Sequence, residues 1–337
     1  HPSVATSLNN LASLYNAQGK YSEAELLHQD ALAMRKHLFK RDHPDIANSL
    51  NNLAFLYNDQ GKYSEAELLH QDALAMTKRL FKRDHPDIAN SLNNLAFLYN
   101  NQGKYSEAEL LHQDALAMRR RLFKRDHPDA AHSLNNLAFL YDDQGKYSEA
   151  EPLYQEALAM TKRLFKRDHP DIANNLNQLA FLYAKTNRHQ EALRLFKEAT
   201  EVEHRLMSKE FLGSSENDRM LFLDNIRITQ YFLFSLVYKY FYPLEESPEK
   251  SDAIHIALDL VLKRKAISNA ADAAFNAAMN SDRYSENIQY YLKKYFSLRK
   301  DFFYLKYSRD SMQNLSRQEA NEKFLNQLEV QCPGLRL

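Results

Sequence analysis

The string HPDIANSLNNLAFLYN begins at His43 and returns at His85, with close relatives at His1, His127 and His169. The period is 42 residues, the separation of His43 and His85. Blocks 43–84 and 85–126 differ only at Asp59/Asn101, Thr77/Arg119 and Lys78/Arg120. Near-identity of this kind marks duplication of one supersecondary unit, and a fixed period constrains the fold before any other property does. A unit that cannot cover its own apolar face must stack on its neighbours, so a linear array is expected.

Each unit reads as two helices. The first follows His43-Pro44-Asp45, with proline at the first helical position and an acid where the helix dipole favours it. Ile46, Ala47, Leu50, Leu53, Ala54 and Tyr57 recur at helical spacing and predict one buried face. Gly61 is placed to end that helix in the left-handed conformation, which glycine adopts without steric penalty. Ser64 and Glu67 have the spacing of a capping box for the second helix, with Tyr63 stapled onto Leu68. The same spacing recurs at Ser22/Glu25, Ser106/Glu109 and Ser148/Glu151. Small Ala54, Ala66 and Ala73 allow close approach of the two helices. The fifth block departs from the pattern, with Asn187, Gln190 and Leu193 at the glycine, serine and glutamate positions. Terminal repeats are commonly atypical.

Leu-Ala-x-x-Tyr in the first helix, then Gly-Lys-Tyr and an alanine pair in the second, resemble the tetratricopeptide repeat. That repeat typically has about 34 residues; this one, with its LNNLAFLY, GKYSEAE and DHPD strings, looks like the longer repeat of kinesin light chains and related bacterial scaffolds. The resemblance covers residues 1 to about 207, divided as 1–42, 43–84, 85–126, 127–168 and 169–207. The expected fold is all-α, a right-handed superhelix of five helix pairs.

A helical C-terminal module is expected over 208–330, with a tail over 331–337. Phe211 to Asp218 reads as a linker. Helical patterns follow over about 218–242, 251–279, 285–307 and 317–328, with breaks at Pro243–Pro248 and Ser281–Arg283. Aromatic residues crowd these helices, among them Phe232, Phe234, Tyr240 and Phe241, and they read as core. The run Ala257 to Ile267, with Phe211-Leu212 and the segment Ser215 to Arg219, is similar to the helical connector of bacterial TPR–CHAT proteins. These are caspase-like proteases, and the similarity spans about 210–307. It implies a protease domain in a parent chain, or a degenerate copy that has lost it.

The 44 basic residues balance the 44 acidic ones, so no net field draws this chain to nucleic acid or to an anionic membrane. The mean hydropathy of -0.61 is polar, as expected where every helix keeps one face in water. The greasiest run, Tyr231 to Tyr238, is far short of the ~20 apolar residues that span a bilayer. No signal-peptide pattern opens the chain, and the single cysteine, Cys332, asks for no oxidising compartment, so a cytoplasmic setting is expected. Cys332 lacks the histidine and surrounding fold that a nucleophile requires. The histidines before Pro at His1, His43, His85, His127 and His169 recur once per repeat and read as caps, since metal ligands must converge. His28, His70 and His112 exchange with Tyr154, which points to a half-buried packing position. No catalytic site, metal site or cofactor is expected.

The first helices carry a second stripe. Asn48, Asn52 and Phe55 lie at i, i+4 and i+7, flanked by Asn51 and Asn58. Their copies are Asn90, Asn94 and Phe97, then His132, Asn136 and Phe139. The outer repeats place Thr6, Asn10 and Ser13, and then Asn174, Gln178 and Phe181, at these positions. The family resemblance implies that first helices line a concave surface. Asparagine both donates and accepts, so the stripe suits the backbone of an extended peptide, with phenylalanines gripping apolar side chains. The competing reading is that the asparagines knit repeats together. A basic ridge at Arg79, Lys82 and Arg83, copied at Arg121, Lys124, Arg125 and at Arg163, Lys166, Arg167, is the rival surface. Such charges also complement a helix C-terminus, and the acidic turns and zero net charge disfavour nucleic acid. A protein or peptide partner in the groove is the expectation.

Overall fold

The computed structural model describes residues 1–165, 168–210, 229, 232–241, 243–244 and 247–260. All regular structure in them is helical, in agreement with the expected class. Ten α-helices run in pairs: α1 (Pro2–Ala17) with α2 (Tyr21–Phe39), α3 (Pro44–Asp59) with α4 (Tyr63–Phe81), and α5 (Pro86–Asn101) with α6 (Tyr105–Phe123). They continue as α7 (Pro128–Asp143) with α8 (Tyr147–Phe165) and α9 (Pro170–Lys185) with α10 (His189–Glu210). The chain divides into two units, residues 1–167 and 168–337.

In the first unit each odd helix packs on its even partner, and each even helix packs on the next odd one. The histidine before each proline caps its helix. His43 Nδ1 accepts from the Asp45 amide at 3.2 Å while its ring stacks on Phe39 with centroids 3.5 Å apart. The turn within each pair is short. Gly61 adopts φ +73° and the Lys62 amide reaches back to the Tyr57 carbonyl at 2.8 Å, closing a Schellman-type turn. A Cβ at Gly61 would meet nothing within 4 Å, so the backbone angle alone selects glycine. Asn187 keeps this turn in the fifth pair with φ 61°, because asparagine tolerates the left-handed region.

The expected capping box does not form. Lys62, with no side-chain cap bond, precedes the first residue of α4, so Ser64 falls inside the first turn. The left-handed Gly61 delivers the chain straight into the helix and leaves no room for a serine cap. Leu68 is 65% exposed and serves no staple. Glu67 turns instead to the following repeat, where it accepts from Tyr99, Gln102 and Lys104.

Ala54, Ala66 and Ala73 are fully buried and bring α3 and α4 together as their size allows. Leu56, Leu98 and Leu140 are also fully buried. One core cluster joins Ala12 and Ala24 of the first pair to Ile46, Leu50 and Leu53 of the second, so each core spans two repeats. Burying one such leucine stabilises by about 1.5–3 kcal/mol, and no pair holds that burial alone.

In the second unit, α9 and α10 meet later parts of the chain. Asn177 donates to Thr229 at 2.7 Å, and Phe181 packs against Phe196 and Phe232 with ring centroids 5.2 and 4.2 Å away. Residues 232–236 are α-helical and run into a π-helical turn, Val237–Phe241; residues 248–260 form a further helical stretch. Phe234 and Phe241 are core, whereas Phe232 keeps 41% of its surface exposed. Most of 210–307, which carries the similarity to the protease connector, lies outside the described residues, as do Lys166, Arg167 and Cys332. None of the described helices is long and apolar enough to cross a membrane.

Candidate peptide-binding groove

The asparagine pairs on the first helices have divided tasks. In α3, Asn51 is buried and its Oδ1 lies 2.8 Å from His70 Nδ1. In α1, Asn9 meets His28 at 2.9 Å and donates to Ser49 of the next repeat at 3.1 Å. In α5, Asn93 repeats both bonds, with His112 at 2.8 Å and Ser133 at 3.2 Å. The flanking Asn58 accepts from Asn101 across the seam. Knitting between repeats therefore falls to Asn9, Asn93 and Asn58, while Asn51 bonds within its own repeat. Their neighbours one residue on, Asn52 and Asn94, are half-buried and have no hydrogen-bond partner among the described residues, and the same is true of Asn136.

These free amides line one cavity of about 640 Å³ in the first unit. It runs along the odd helices, taking Thr6 and Asn10 from α1, then Asn48, Asn52 and Phe55 from α3. Asn90 and Asn94 of α5 and His132 and Asn136 of α7 complete the wall. A second cavity of about 240 Å³ adjoins it, lined by Phe55, Phe97 and Phe139 together with Asn94 and Asn136. The Phe55 and Phe97 centroids are 6.4 Å apart. Phe97 and Phe139 are 39% and 38% exposed, an unusual state for phenylalanine in a packed array. Ser13 lines neither cavity and donates to the Asn9 carbonyl. Asn174, Gln178 and Phe181 belong to the second unit and line neither.

The floor of the groove holds residues that sequence reasoning missed. Arg35 and Arg119 are buried and line the larger cavity. Arg35 donates to the Asp45 carbonyl at 2.9 Å, to Ser49 at 2.8 Å and to Thr6 at 3.1 Å. Arg119 donates to the Asp129 carbonyl and to Ser133, both at 2.7 Å, and to Asn90 Oδ1 at 2.5 Å. The signal that could have found them is the exchange of Arg119 with Thr77, one of only three differences between two duplicated blocks.

His28, His70 and His112 are buried at 2%, 1% and 3% exposure, not half-buried as expected, because each packs its ring between helices while bonding an asparagine. Burial holds His70 and His112 neutral, with pKa values pushed down to about 4, and lowers that of His28. The basic ridge is partly spent on structure. Arg79 grips Asp42 with two bonds, at 2.6 and 3.2 Å, and Arg121–Asp84 and Arg163–Asp126 repeat the grip. The facing guanidinium holds each of these carboxylates below its ordinary range. One arginine per ridge copy is thus neutralised.

The sequence model of the tetratricopeptide repeat family matches residues 3–79, 45–121, 87–163 and 129–202, and so together 3–202 of the 337 residues. The chain belongs to the tetratricopeptide repeat family. Solved structures of similar repeat proteins include a variant of a Podosopora anserina putative kinesin light chain with nearly identical TPR-like repeats. It shares 26% identity at a TM-score of 0.50, over 62% of this chain and 99% of that one. BtubC (BKLC) from P. vanneervenii shares 24% identity at a TM-score of 0.50, over 64% of this chain and 83% of that one, a likeness in fold alone. No curated protein matches the chain.

Proposed function

We propose that this tetratricopeptide repeat protein is a non-enzymatic interaction scaffold that takes an extended segment of a partner protein into the groove of residues 1–165. Proteins built of these repeats generally act as interaction scaffolds. The observation that carries the reading is the separation of duties among the asparagines. All six border one cavity, but Asn9, Asn51 and Asn93 are tied to buried histidines, while Asn52, Asn94 and Asn136 have no hydrogen-bond partner among the described residues. An extended backbone loses water from its amides and carbonyls on docking, and a ladder of amides replaces those bonds whatever the peptide sequence. The phenylalanine-lined cavity beside it supplies apolar contact.

The test is a random peptide display library panned on the full chain, with affinities of the selected peptides then measured. Changing Asn52, Asn94 and Asn136 to alanine removes bonds worth about 0.5–1.5 kcal/mol each, so binding should weaken at least tenfold. Helix content should survive, since alanine forms helix better than asparagine. Equal affinity for two equally folded proteins would remove the groove from the mechanism.

A further inference from the structure

The position that holds Arg35 and Arg119 alternates along the groove, with Thr77 between them in sequence. Wherever arginine is present it finds the same three acceptors. They are the carbonyl of the aspartate that opens the next odd helix, the serine one turn later, and a polar side chain of its own repeat's odd helix. In the second repeat the equivalents are all in place. Asp87 opens α5, Ser91 lies one turn on, and Asn48 stands where Asn90 serves Arg119. Thr77 is shorter: its hydroxyl donates back to the Leu74 carbonyl at 2.9 Å and, of the three acceptors, reaches only Ser91, at 3.4 Å. Asn48, Thr77, Asp87 and Ser91 all line the large cavity, so the space an arginine fills in the neighbouring repeats is here part of the groove. Burial pushes the Arg119 guanidinium down and the nearby Asp129 carboxylate offsets part of that cost, whereas Asp87 has no arginine in the corresponding place.

We propose that Asn48, Thr77, Asp87 and Ser91 form a seat for a guanidinium supplied by the partner, so that the groove selects an extended peptide carrying an arginine. This rests on the groove reading above and adds a side-chain preference to it. A guanidinium is planar and presents several donors in fixed directions, which matches a carbonyl, a hydroxyl and an amide oxygen arranged around one site. A lysine ammonium is a single strongly hydrated point and cannot span the three. The partner arginine would complete a series whose other two members the chain itself supplies.

The experiment pans the same display library on the wild-type chain and on Thr77→Arg, then measures selected peptides with their arginine replaced by citrulline or lysine. The wild type should enrich arginine at one fixed position, and citrulline, which keeps the shape but loses the charge, should weaken binding at least tenfold. Thr77→Arg should erase that enrichment while remaining folded, because repeats one and three already accommodate arginine there. Arg119→Thr should create a second seat, and its pool should enrich a second arginine. Selected peptides without arginine, or arginine enrichment unchanged by Thr77→Arg, would overturn the seat and leave the groove standing. Peptides that ignore the loss of Asn52, Asn94 and Asn136 would overturn the groove itself and the seat with it.

Discussion

The Tyr99 hydroxyl donates to the Glu67 carboxylate at 3.1 Å, across the seam between the second and third repeats. Tyr57–Glu25 at 3.0 Å and Tyr141–Glu109 at 2.8 Å repeat the bond. Each tyrosine comes from the first helix of one repeat and each glutamate from the second helix of the repeat before. Partial burial pushes the Glu67 carboxyl up, but hydrogen bonds from Lys104, Gln102 and Tyr99 outweigh it and hold the group below its usual range. Tyr99→Phe should therefore cost about 1 kcal/mol, as loss of one half-buried hydrogen bond does. The damage should be local, because repeats contact mainly their neighbours. Hydrogen exchange should quicken in α4 and α5 and hold steady in α1; a uniform change along the array would contradict a seam role.

Acid should loosen the array through its buried histidines. His70 and His112 bind a proton with a pKa of about 4 in the fold, against 6.5 in the unfolded chain. The unfolded state thus takes up more protons between those values, and stability falls as pH drops through that window. A shift of this size is worth on the order of 3 kcal/mol per site. Asp42, Asp84, Asp126 and Glu67 are held below their ordinary values, so their contributions persist until lower pH. Urea unfolding at pH 7.5 and pH 4.5 should show the loss, and His70→Tyr with His112→Tyr should remove most of it. Tyr154 shows that this site holds a buried tyrosine in the fourth repeat. An acid loss of the same size in the double variant would assign it elsewhere.

The period of 42 residues made the helix pairs legible, and His43-Pro44-Asp45 and Gly61 marked their ends, because each of these features acts through bonds within a few residues. Glu67 was misread for the complementary reason. Its spacing from Ser64 is local, but its partners Tyr99, Gln102 and Lys104 lie more than thirty residues away. The stripe of asparagines was visible, yet the sequence alone could not divide Asn51 from Asn52. One residue turns the helix by about 100°, and that rotation separates an amide committed to His70 from one left free in the groove. Arg35 and Arg119 were hidden in a basic stretch, where charge alone reads as solvated surface.

Pro152 offers a test of how much the fourth repeat gives up. It lies inside α8, at the position where Leu26, Leu68 and Leu110 are largely exposed in the other repeats. A proline there cannot donate to the carbonyl one turn earlier, and its ring crowds that carbonyl. Pro152→Leu restores the bond without burying new surface, so the gain should be backbone in origin. Interior proline costs about 3 kcal/mol, and its nearness to the helix start should reduce the benefit to about 1–2 kcal/mol. Thermal unfolding followed by circular dichroism reads it directly. A variant no more stable than the parent would mean that the first turns of α8 fray regardless of residue 152.

The phenylalanines of the groove separate binding from stability. Phe55 is half-buried and packs edge-on against His70 with centroids 5.1 Å apart, so truncation there opens the core around a buried ring. Phe97 and Phe139 keep 39% and 38% of their surface exposed and line the smaller cavity. Truncating a buried phenylalanine costs about 3–5 kcal/mol, and the exposed pair should cost clearly less than that each. In a complex the order reverses. A partner side chain that covers Phe97 and Phe139 removes apolar area from water at about 25 cal/mol per Å², and that contribution vanishes with the rings. Phe97→Ala with Phe139→Ala should therefore weaken the selected peptides at least tenfold while shifting the melting temperature little. Phe55→Ala should lower the melting temperature markedly. Peptide affinity measured by calorimetry, beside thermal unfolding of the same samples, distinguishes the two effects. Full affinity in the double variant would leave the apolar half of the groove without a role in binding.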